Sequence, residues 1–396
     1  MLKIASVHNT YQQRGGEDVV VAAECALLER NGHKVIRYQR SNDEICALTR
    51  PEQLLLAKNI IHSEKSKREL SALLRQEKPD VVHVHNTFLM ISPSVYEACR
   101  DAGIPVVQTL HNYRLLCPGW SLSRDGRVCE ECIDDGLWRS VWHGCYRGSR
   151  LMTAAVAVML QVHRSKGSWN RSVDGYVALT NFAKGKFVQG GLPASIIHVK
   201  PNFMETDPHE RSSAGGPMLF IGRLSAEKGV EILLKAWQQL SHSIPLVVVG
   251  DGPLRETLEA EITAKGLSNI TFAGWRSRPE ILAAIKTASA VVVPSVCYEG
   301  FPMTLVEAFA CGTPVIGSNL GGVQEIVKDG LNGLHFAAGD AADLASKVEW
   351  AWSHPKALRV MGHAGRHDFE EHYTAETNYK LLLEIYEKAL ANAARN

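Results

Sequence analysis

Two glutamates stand eight positions apart in the segment EGFPMTLVE, which runs from Glu299 to Glu307. Glu299 follows the apolar run AVVVPS, and Glu307 lies about one turn into a helix predicted to begin near Met303. Because a carboxylate accepts two hydrogen bonds, it suits the adjacent hydroxyls of a hexose or a ribose. Free N–H groups at the start of that helix suit a phosphate, and they belong to Met303, Thr304 and Leu305. The alternative is a solvated helix cap with two surface glutamates.

A second candidate segment is GRLSAEKG, in which Arg223 and Lys228 lie five positions apart on one loop after an apolar strand. The planar fork of an arginine and the point charge of a lysine together neutralise a diphosphate. Such a pair would stabilise the charge that develops on a departing nucleoside diphosphate. Two solvated surface cations remain the alternative.

Two weaker signals lie in the first half of the chain. Gly15 and Gly16, in RGGEDVVV, follow the first strand and precede a helix, so their bare backbone can approach a phosphate or a sugar closely. The segment lacks the GxGxxG pattern of dinucleotide-binding proteins, and a simple tight turn explains it equally well. His111 ends the run PVVQTL, where a polar residue closing a strand is the alternative.

These residues must be positioned by short β-branched runs that alternate with helical patterns along the whole chain. In the first half the strand-like runs are KIASV, KVIRY, VVHVH, PVVQTL, YVAL and IIHVK. In the second half they are MLFIG, PLVVVG, NITFAG, AVVVPS and PVIGS. The pattern predicts an α/β protein with two doubly wound, Rossmann-like domains that face each other across a cleft. In such sheets, ligands lie at the carboxyl ends of the strands.

The predicted domain boundaries follow from composition. The polar segment METDPHERSSAGGP, residues 204–217, is predicted to be a linker. The N-terminal domain then covers residues 1–203, with a cysteine-rich insert at 117–147, and the C-terminal domain covers 218–370. Residues 371–396 form a strong helical pattern, which predicts a C-terminal helix that packs back on the N-terminal domain.

Together these motifs resemble the retaining GT-B glycosyltransferases of the family-4 type, also called glycosyl transferases group 1. The resemblance rests on the E-x7-E element, the GR…EKG loop, the Gly-Gly loop and PNF at residues 201–203. A subgroup of these enzymes carries an insert with the pattern CPG…RDG…CxxC…CYRGS, which is also present here. The matches follow the family's order over nearly the whole chain.

The resemblance implies a role for each matched residue. Glu299 would bind hydroxyls of the donor sugar with help from Gly300 and Phe301, and Glu307 would bind the ribose. Arg223 and Lys228 would hold the diphosphate, which Gly15 and Gly16 would approach from the first domain. His111 would lie near the donor sugar, and the base would lie near Trp275.

The implied reaction moves a sugar from a nucleoside-diphosphate-sugar to a glycan or lipid-linked glycan with retention at the anomeric carbon. This reaction needs no cofactor and no catalytic metal. No Asp-x-Asp motif, which would bind a divalent metal on the diphosphate, follows a predicted strand. The implied setting is bacterial surface polysaccharide synthesis. Two alternatives stay open: a GT-B-type sugar-nucleotide epimerase, and a non-catalytic nucleotide-sugar-binding protein.

Four cysteines of the insert, Cys117, Cys129, Cys132 and Cys145, have the spacing C-x11-C-x2-C-x12-C. Four thiolates at such spacing resemble a structural zinc site, which would be closed and not catalytic. Four reduced cysteines in a long loop are the alternative. Without an export signal, disulfides are not expected among the nine cysteines.

Composition limits the partners. With 43 basic and 42 acidic residues, the chain has no excess charge for bulk nucleic-acid binding. The apolar run LMTAAVAVMLQV, residues 151–162, is shorter than the ~20 residues that span a bilayer. It predicts a core helix or a shallow membrane-contact helix. Nearby, Trp138, Trp142, Arg147 and Arg150 are candidates for contact with a phosphorylated or lipid-linked acceptor. The expected location is cytoplasmic, with peripheral contact at the inner membrane face as a further hypothesis.

Overall fold

The computed structural model describes residues 1–12, 15–47, 49–211, 215–241 and 243–394, without the side chains of residues 50–54. The chain divides into two compact units. The first unit comprises Met1–Leu122, Glu130–Pro201 and Ala375–Asn396, and the second comprises Ser123–Cys129 and Asn202–Thr374. The second unit therefore begins at Asn202 and includes the described part of the segment predicted as a linker, of which residues 212–214 lie outside the described residues.

Strands and helices alternate from the amino terminus to Val199. The strands are β1 (Lys3–Thr10), β2 (Lys34–Ser41), β3 (Val81–Asn86), β4 (Val106–Leu110), the hairpin strands β5 (Ser123–Arg124) and β6 (Arg127–Val128), β7 (Gly175–Ala178) and β8 (Ile197–Val199). The helices are α1 (Gly16–Arg30), α2 (Arg50–Asn59), α3 (Glu64–Glu77), α4 (Ser94–Ala102), α5 (Glu131–Asp134), α6 (Trp138–His143), α7 (Arg150–Lys166), α8 (Ser168–Arg171) and α9 (Asn181–Gln189). The sheet of the first unit has the order β2-β1-β3-β4-β7-β8, and all of its strands are parallel.

The same alternation begins again after the chain enters the second unit. Its strands are β9 (Met218–Ile221), β10 (Leu246–Val249), β11 (Ile270–Gly274), β12 (Ala290–Val293), β13 (Val315–Ser318) and β14 (Gly333–Phe336). Its helices are α10 (Val230–Trp237), α11 (Arg255–Lys265), α12 (Arg278–Thr287), α13 (Met303–Ala310), α14 (Gly321–Ile326), α15 (Ala341–Ser353) and α16 (Pro355–His372). The parallel sheet has the order β11-β10-β9-β12-β13-β14. The predicted doubly wound α/β architecture is thus confirmed in both units.

The last helix, α17 (Ala375–Ala393), belongs to the first unit. Its residues Leu382, Ile385, Tyr386 and Ala389 are buried in one core cluster with the central strands of that unit. A helix with i, i+3, i+4 and i+7 apolar positions presents one continuous apolar stripe, which is what these four positions supply. The separate core of the second unit contains Phe220, Leu233, Trp237 and Val292.

Strand order fixes where each unit can bind a ligand. In the first sheet the chain runs from β1 to β2 on one side and to β3 on the other, so the switch point lies between β1 and β3. In the second sheet the corresponding point lies between β9 and β12. Loops leave opposite sides of the sheet there, so a crevice opens at the carboxyl ends of those strands.

Candidate active site

The loop after β9 carries Lys228 to the switch point of the second unit. Residues Ala226–Lys228 form one 3-10 turn that ends at Gly229, whose φ is 69°. A Cβ built on Gly229 would lie 1.8 Å from the carbonyl oxygen of Pro294, directly after β12. Only glycine therefore allows this loop to lie against the end of β12. The backbone N–H of Val296 also donates to the carbonyl oxygen of Glu227 at 3.0 Å.

This packing joins the two predicted motifs. Nζ of Lys228 lies 2.7 Å from Oε1 of Glu299, and the hydroxyl of Ser295 donates to the same oxygen at 2.6 Å. Burial alone would lower the pKa of Lys228, but the Glu299 carboxylate outweighs that effect and raises it. Lys228 is therefore a cation at neutral pH, and its side chain is 29% exposed. The structure thus places Lys228, which is predicted to bind the diphosphate, beside Glu299, which is predicted to bind the sugar of the same donor.

Arg223 lies on the same loop and is exposed. Its backbone is fixed by close approach of the loop after β10: a Cβ on Gly252 would lie 2.5 Å from the carbonyl oxygen of Leu224. The backbone N–H of Leu224 also donates to the carbonyl oxygen of Asp251 at 2.9 Å. Within the described part of the chain, the guanidinium of Arg223 forms no ion pair, so its five donors face solvent.

Helix α13 begins directly after Pro302, as predicted. It has no side-chain cap and no acidic residue in its first turn. The first N–H groups, on Met303 and Thr304, therefore have no helical acceptor and give this end a partial positive charge. The preceding Phe301 is buried against the ring of Tyr373, with 5.6 Å between ring centroids. Phe301 thus anchors the turn that contains Gly300.

Glu307 occupies the second turn of α13 and is mostly buried, with 12% of its side chain exposed. Burial raises the pKa of its carboxyl to about 7, and Arg278 offsets this only in part. The reason is distance, since Nε of Arg278 lies 3.6 Å from Oε1 of Glu307. A carboxyl with its pKa near neutrality is typical of a functional site.

Trp275 follows a strand at the edge of the second sheet, whereas Lys228 and Glu299 follow central strands. This edge strand is β11, and Trp275 is 73% exposed. Gly274, with φ of 68°, lies next to the guanidinium of Arg255 and accepts from the N–H of Gly250 at 2.9 Å. The indole is an exposed aromatic face at the carboxyl edge of the second sheet.

The dipeptide His-Asn recurs at the carboxyl ends of three parallel strands of the first unit. His8–Asn9 precedes the last residue of β1, His85–Asn86 closes β3, and His111–Asn112 follows β4 directly. These strands are neighbours in the sheet, so the three imidazoles gather at one edge. Nδ1 of His85 lies 3.2 Å from Nε2 of His111. Burial, with the neighbouring His8, lowers the pKa of His111 to about 3, so this imidazole is neutral at pH 7.

Behind this edge lies a buried polar network that the sequence motifs do not indicate. Nζ of Lys200 lies 2.8 Å from Oε2 of Glu24, and both side chains are almost completely buried. Nδ1 of His83 lies 3.1 Å from Oε1 of Glu24 and 2.8 Å from the hydroxyl of Tyr386. Burial alone would raise the pKa of Glu24, but Lys200 and His83 hold it well below its usual range. Helix α17 thus takes part in the support of the histidine edge.

The glycine loop of the first unit also holds an unexpected carboxyl. Gly15 caps helix α1, and its N–H donates to Oδ2 of Asp18 at 3.0 Å. Gly16 is the first residue of α1, whereas Arg14 lies outside the described residues. Burial raises the pKa of Glu17 to about 8, although a hydrogen bond of 3.1 Å from the Tyr11 hydroxyl opposes this. The glycines are placed as predicted, at the turn between β1 and α1.

His8 and His85, which the sequence motifs do not indicate, share with His111 a signal that the sequence does contain. The dipeptide His-Asn follows an apolar residue at positions 8, 85 and 111, each time at the end of a strand-like run. A search for one repeated ending on successive strands would have found His8 and His85 with His111. Glu24, Lys200 and Glu17 have no such signal, because isolated charged residues in a sequence are usually solvated.

The structure does not support the predicted zinc site. Four thiolates bound to one zinc ion would lie about 3.8 Å from one another. In the described residues, only Glu24, His83 and His85 form a group of three or more candidate ligands within 4.8 Å. A hydrogen bond from the Cys132 thiol lowers the pKa of Cys117 to about 7.

None of the nine cysteines forms a disulfide. Among the described residues, every helix is too short or too polar to cross a lipid bilayer.

Known protein families match this chain over most of its length. The model described as Glycosyltransferase Family 4 matches residues 14–208, and the model described as Glycosyl transferases group 1 matches residues 209–368. The two matches adjoin between residues 208 and 209, a short way into the segment of the second unit that begins at Asn202. The chain therefore belongs to the GT-B glycosyltransferases of the group 1, family 4 type.

Individual relatives are distant. The uncharacterized glycosyltransferase MJ1607 of Methanocaldococcus jannaschii is 25% identical over 100% of both chains. A glycogen synthase of Mycobacterium tuberculosis is 27% identical over 79% of this chain and 69% of its own length. The crystal structure of Anabaena Alr3699/HepE in complex with UDP-glucose has a TM-score of 0.68 at 18% identity and covers 98% of this chain and 100% of its own. That structure supports the fold assignment.

Proposed function

We propose that this protein is a retaining glycosyltransferase that moves a sugar from a nucleoside-diphosphate-sugar to a glycan or lipid-linked glycan. The observation that carries the proposal is the contact of 2.7 Å between Lys228 and Glu299 at the switch point of the second sheet. Two groups suited to a diphosphate and to sugar hydroxyls are held together there. We further propose bacterial surface polysaccharide synthesis as the setting, in the cytoplasm at the inner membrane face.

Each polar group then has one task. Arg223, Lys228 and the N–H groups at the start of α13 bind the diphosphate. Glu299 accepts hydroxyls of the donor sugar, and Glu307 accepts those of the ribose. Trp275 offers its exposed face to the base. Gly15, Gly16 and His111 also act on the donor, with His111 as a neutral imidazole that donates or accepts one hydrogen bond.

In the reaction, the bond from the anomeric carbon to the diphosphate oxygen breaks, and a bond from that carbon to the acceptor oxygen forms on the same face. The acceptor proton passes to the departing diphosphate oxygen. No metal is needed in this scheme, because Arg223, Lys228 and the helix start stabilise the charge of the leaving group. The bound Lys228 must share its donors between Glu299 and phosphate, which couples sugar binding to diphosphate binding.

The experiment has two stages. A thermal-shift screen of nucleoside diphosphates and their sugars identifies the base and the sugar, because a bound ligand raises the apparent stability. With that donor, Lys228→Ala should lower turnover about 100-fold to 1,000-fold, as loss of one charge-stabilising group does. Lys235→Ala, on the exposed face of α10, is the matched control and should retain turnover.

Three outcomes would contradict the proposal. Turnover unchanged in Lys228→Ala would remove the charge-stabilising role. Conversion of the donor alone into an epimer would favour an epimerase, and nucleotide binding without turnover on any acceptor would favour a binding protein. Product with an inverted anomeric centre, seen by NMR, would exclude retention.

A further inference from the structure

Helices α6 and α7 expose large apolar side chains on one side of the first unit. Trp138 and Trp142 lie one turn apart on α6, and they are 58% and 64% exposed. Leu151 and Val158 lie two turns apart on α7, and they are 82% and 49% exposed. The two helices pack against each other, and the guanidinium of Arg150 lies 5.3 Å from the ring centre of Trp142. These four side chains are called the tryptophan surface below.

Leu151 and Val158 of the tryptophan surface lie on the outer side of α7, which is well anchored on its inner side. Residues Val156, Met159, Leu160 and His163 of α7 are buried in the first unit. The imidazole of His163 lies 2.8 Å from the carbonyl oxygen of Ile61 and 2.8 Å from the hydroxyl of Ser168. Apolar residues on the outer side therefore add nothing to this core, and their exposure to water is unfavourable.

Two arginines flank the tryptophan surface without a carboxylate partner in the described part of the chain. Arg147 and Arg150 are exposed, and the guanidinium of Arg147 lies 5.7 Å from the ring centre of Tyr146. The neighbouring Arg139 differs, since its guanidinium lies 3.3 Å from a carboxylate oxygen of Asp135. Arg147 and Arg150 are thus available to external anions.

The residues of this surface lie in a stretch of sequence without acidic residues, which Glu131 and Asp135 border at 3.3 Å from His143 and Arg139. Residues 136–173 contain Arg139, Arg147, Arg150, Arg164, Lys166 and Arg171, and no aspartate or glutamate. The whole chain is nearly balanced, with 43 basic and 42 acidic residues. An apolar face beside unpaired arginines, in a segment free of acidic residues, is the composition of helices that lie in a membrane interface.

We propose that the tryptophan surface, with Arg147 and Arg150, binds the interface of an anionic lipid bilayer. Indole rings are favourable at the level of the headgroups, where the ring is in an apolar medium and its N–H stays hydrated. Arginines at the same depth contact lipid phosphates. A soluble phosphorylated glycan is the alternative occupant, and the displacement experiment below separates it from a bilayer. The inference rests on the inner-membrane location proposed above and names the surface responsible for it, and it is tested without turnover.

The test measures co-sedimentation of the full chain with vesicles. Vesicles of phosphatidylcholine mixed with phosphatidylglycerol should bind the protein, and vesicles of phosphatidylcholine alone should bind it much less. Arg147→Ala with Arg150→Ala should weaken binding by about fivefold per arginine. Trp138→Ala with Trp142→Ala should weaken it on the order of tenfold or more. Added salt should also weaken it.

Matched controls separate this effect from misfolding. Trp350→Ala and Arg359→Ala, both exposed on the second unit, should bind vesicles as the parent does. Arg147→Lys with Arg150→Lys keeps the charge and should retain most of the binding. Donor hydrolysis by each variant in solution, at the parent rate, verifies that it is folded.

Several results would overturn the inference. Equal binding to neutral and anionic vesicles would remove the role of charge, and unchanged binding of the tryptophan variants would remove the role of the surface. Displacement by inorganic phosphate at constant ionic strength would identify a phosphate site instead. A protein that binds vesicles but lacks turnover would contradict only the proposed function.

Discussion

Two lysine–glutamate pairs of almost equal length have opposite surroundings in the two units. Lys200 and Glu24 of the first unit are 2.8 Å apart and 1% and 2% exposed, whereas Lys228 and Glu299 of the second are 2.7 Å apart and 29% and 12% exposed. The first pair is shielded from water and surrounded by His83, Asn378 and Tyr386. The second pair is partly exposed at the end of the sheet, mainly through Lys228. The same contact therefore supports structure in one unit and is available to a ligand in the other.

The comparison predicts that removing each lysine lowers the stability by a very different amount. Lys200→Met leaves the buried carboxylate of Glu24 without its cation, so the free energy of unfolding should fall by about 3–5 kcal/mol. Lys228→Ala should lower it by less than about 1 kcal/mol, because solvent and the Ser295 hydroxyl still serve Glu299. Urea denaturation followed by circular dichroism measures both changes.

A double variant checks the cause of the larger effect. Lys200→Met combined with Glu24→Gln removes both charges and should recover part of the lost stability. Equal losses from Lys200→Met and Lys228→Ala would show that the contrast between the pairs is wrong.

The glycine loops of the two units should differ almost as strongly. Gly229→Ala places a methyl group against the carbonyl of Pro294 at positive φ, which should lower the free energy of unfolding by about 2–4 kcal/mol. Gly15→Ala meets nothing within 4 Å, so the free energy of unfolding should change by less than about 0.5 kcal/mol. Donor turnover of Gly15→Ala should nevertheless fall, because the methyl group would keep the donor away. Unchanged turnover in that variant would leave Gly15 as a simple turn residue.

Acid should weaken nucleotide binding through the second unit. Glu307 must be ionised to accept two ribose hydroxyls, and its pKa is about 7 in the unbound protein. The ionised fraction, and with it the affinity for a nucleoside diphosphate, should fall about tenfold between about pH 8 and about pH 6. Calorimetry of the parent and of Glu307→Gln measures this. The variant should bind weakly at both pH values, and an identical pH dependence in the variant would assign the titration to another group.

Chelation should have the smallest effect. The leaving-group contacts proposed for the second unit are cationic side chains and N–H groups, and the insert cysteines do not converge on a metal site in the described residues. We therefore expect EDTA to change neither turnover nor the melting temperature. Stoichiometric zinc in purified protein, or loss of stability on chelation, would restore the cysteine site.

Local patterns were sufficient to predict most elements and half of the candidate site. Apolar runs such as AVVVPS are buried on both faces, so they form central parallel strands wherever they occur. The Lys228 and Glu299 loops follow two such strands, and sheet topology then brings them together. Strand β14 was not predicted, because its sequence GLHF is short and contains only two strongly apolar side chains.

Long-range pairing explains what the sequence could not predict. Glu24 and Lys200 are 176 positions apart, and His83 and Tyr386 are 303 apart, so no local pattern links them. The zinc prediction is unsupported for a different reason: cysteine spacing describes neighbours along the chain and does not fix how an irregular loop folds.

Helix α17 has a consequence for biosynthesis. The core of the first unit includes Leu382, Ile385 and Tyr386, which the ribosome adds after residues 202–374 of the second unit. Residues 202–374 can close their own core while this happens, so the later half of the chain can mature before the earlier half. During translation the sheet of the first unit keeps an apolar surface exposed until α17 has been synthesised. A chaperone would have its largest effect in that interval.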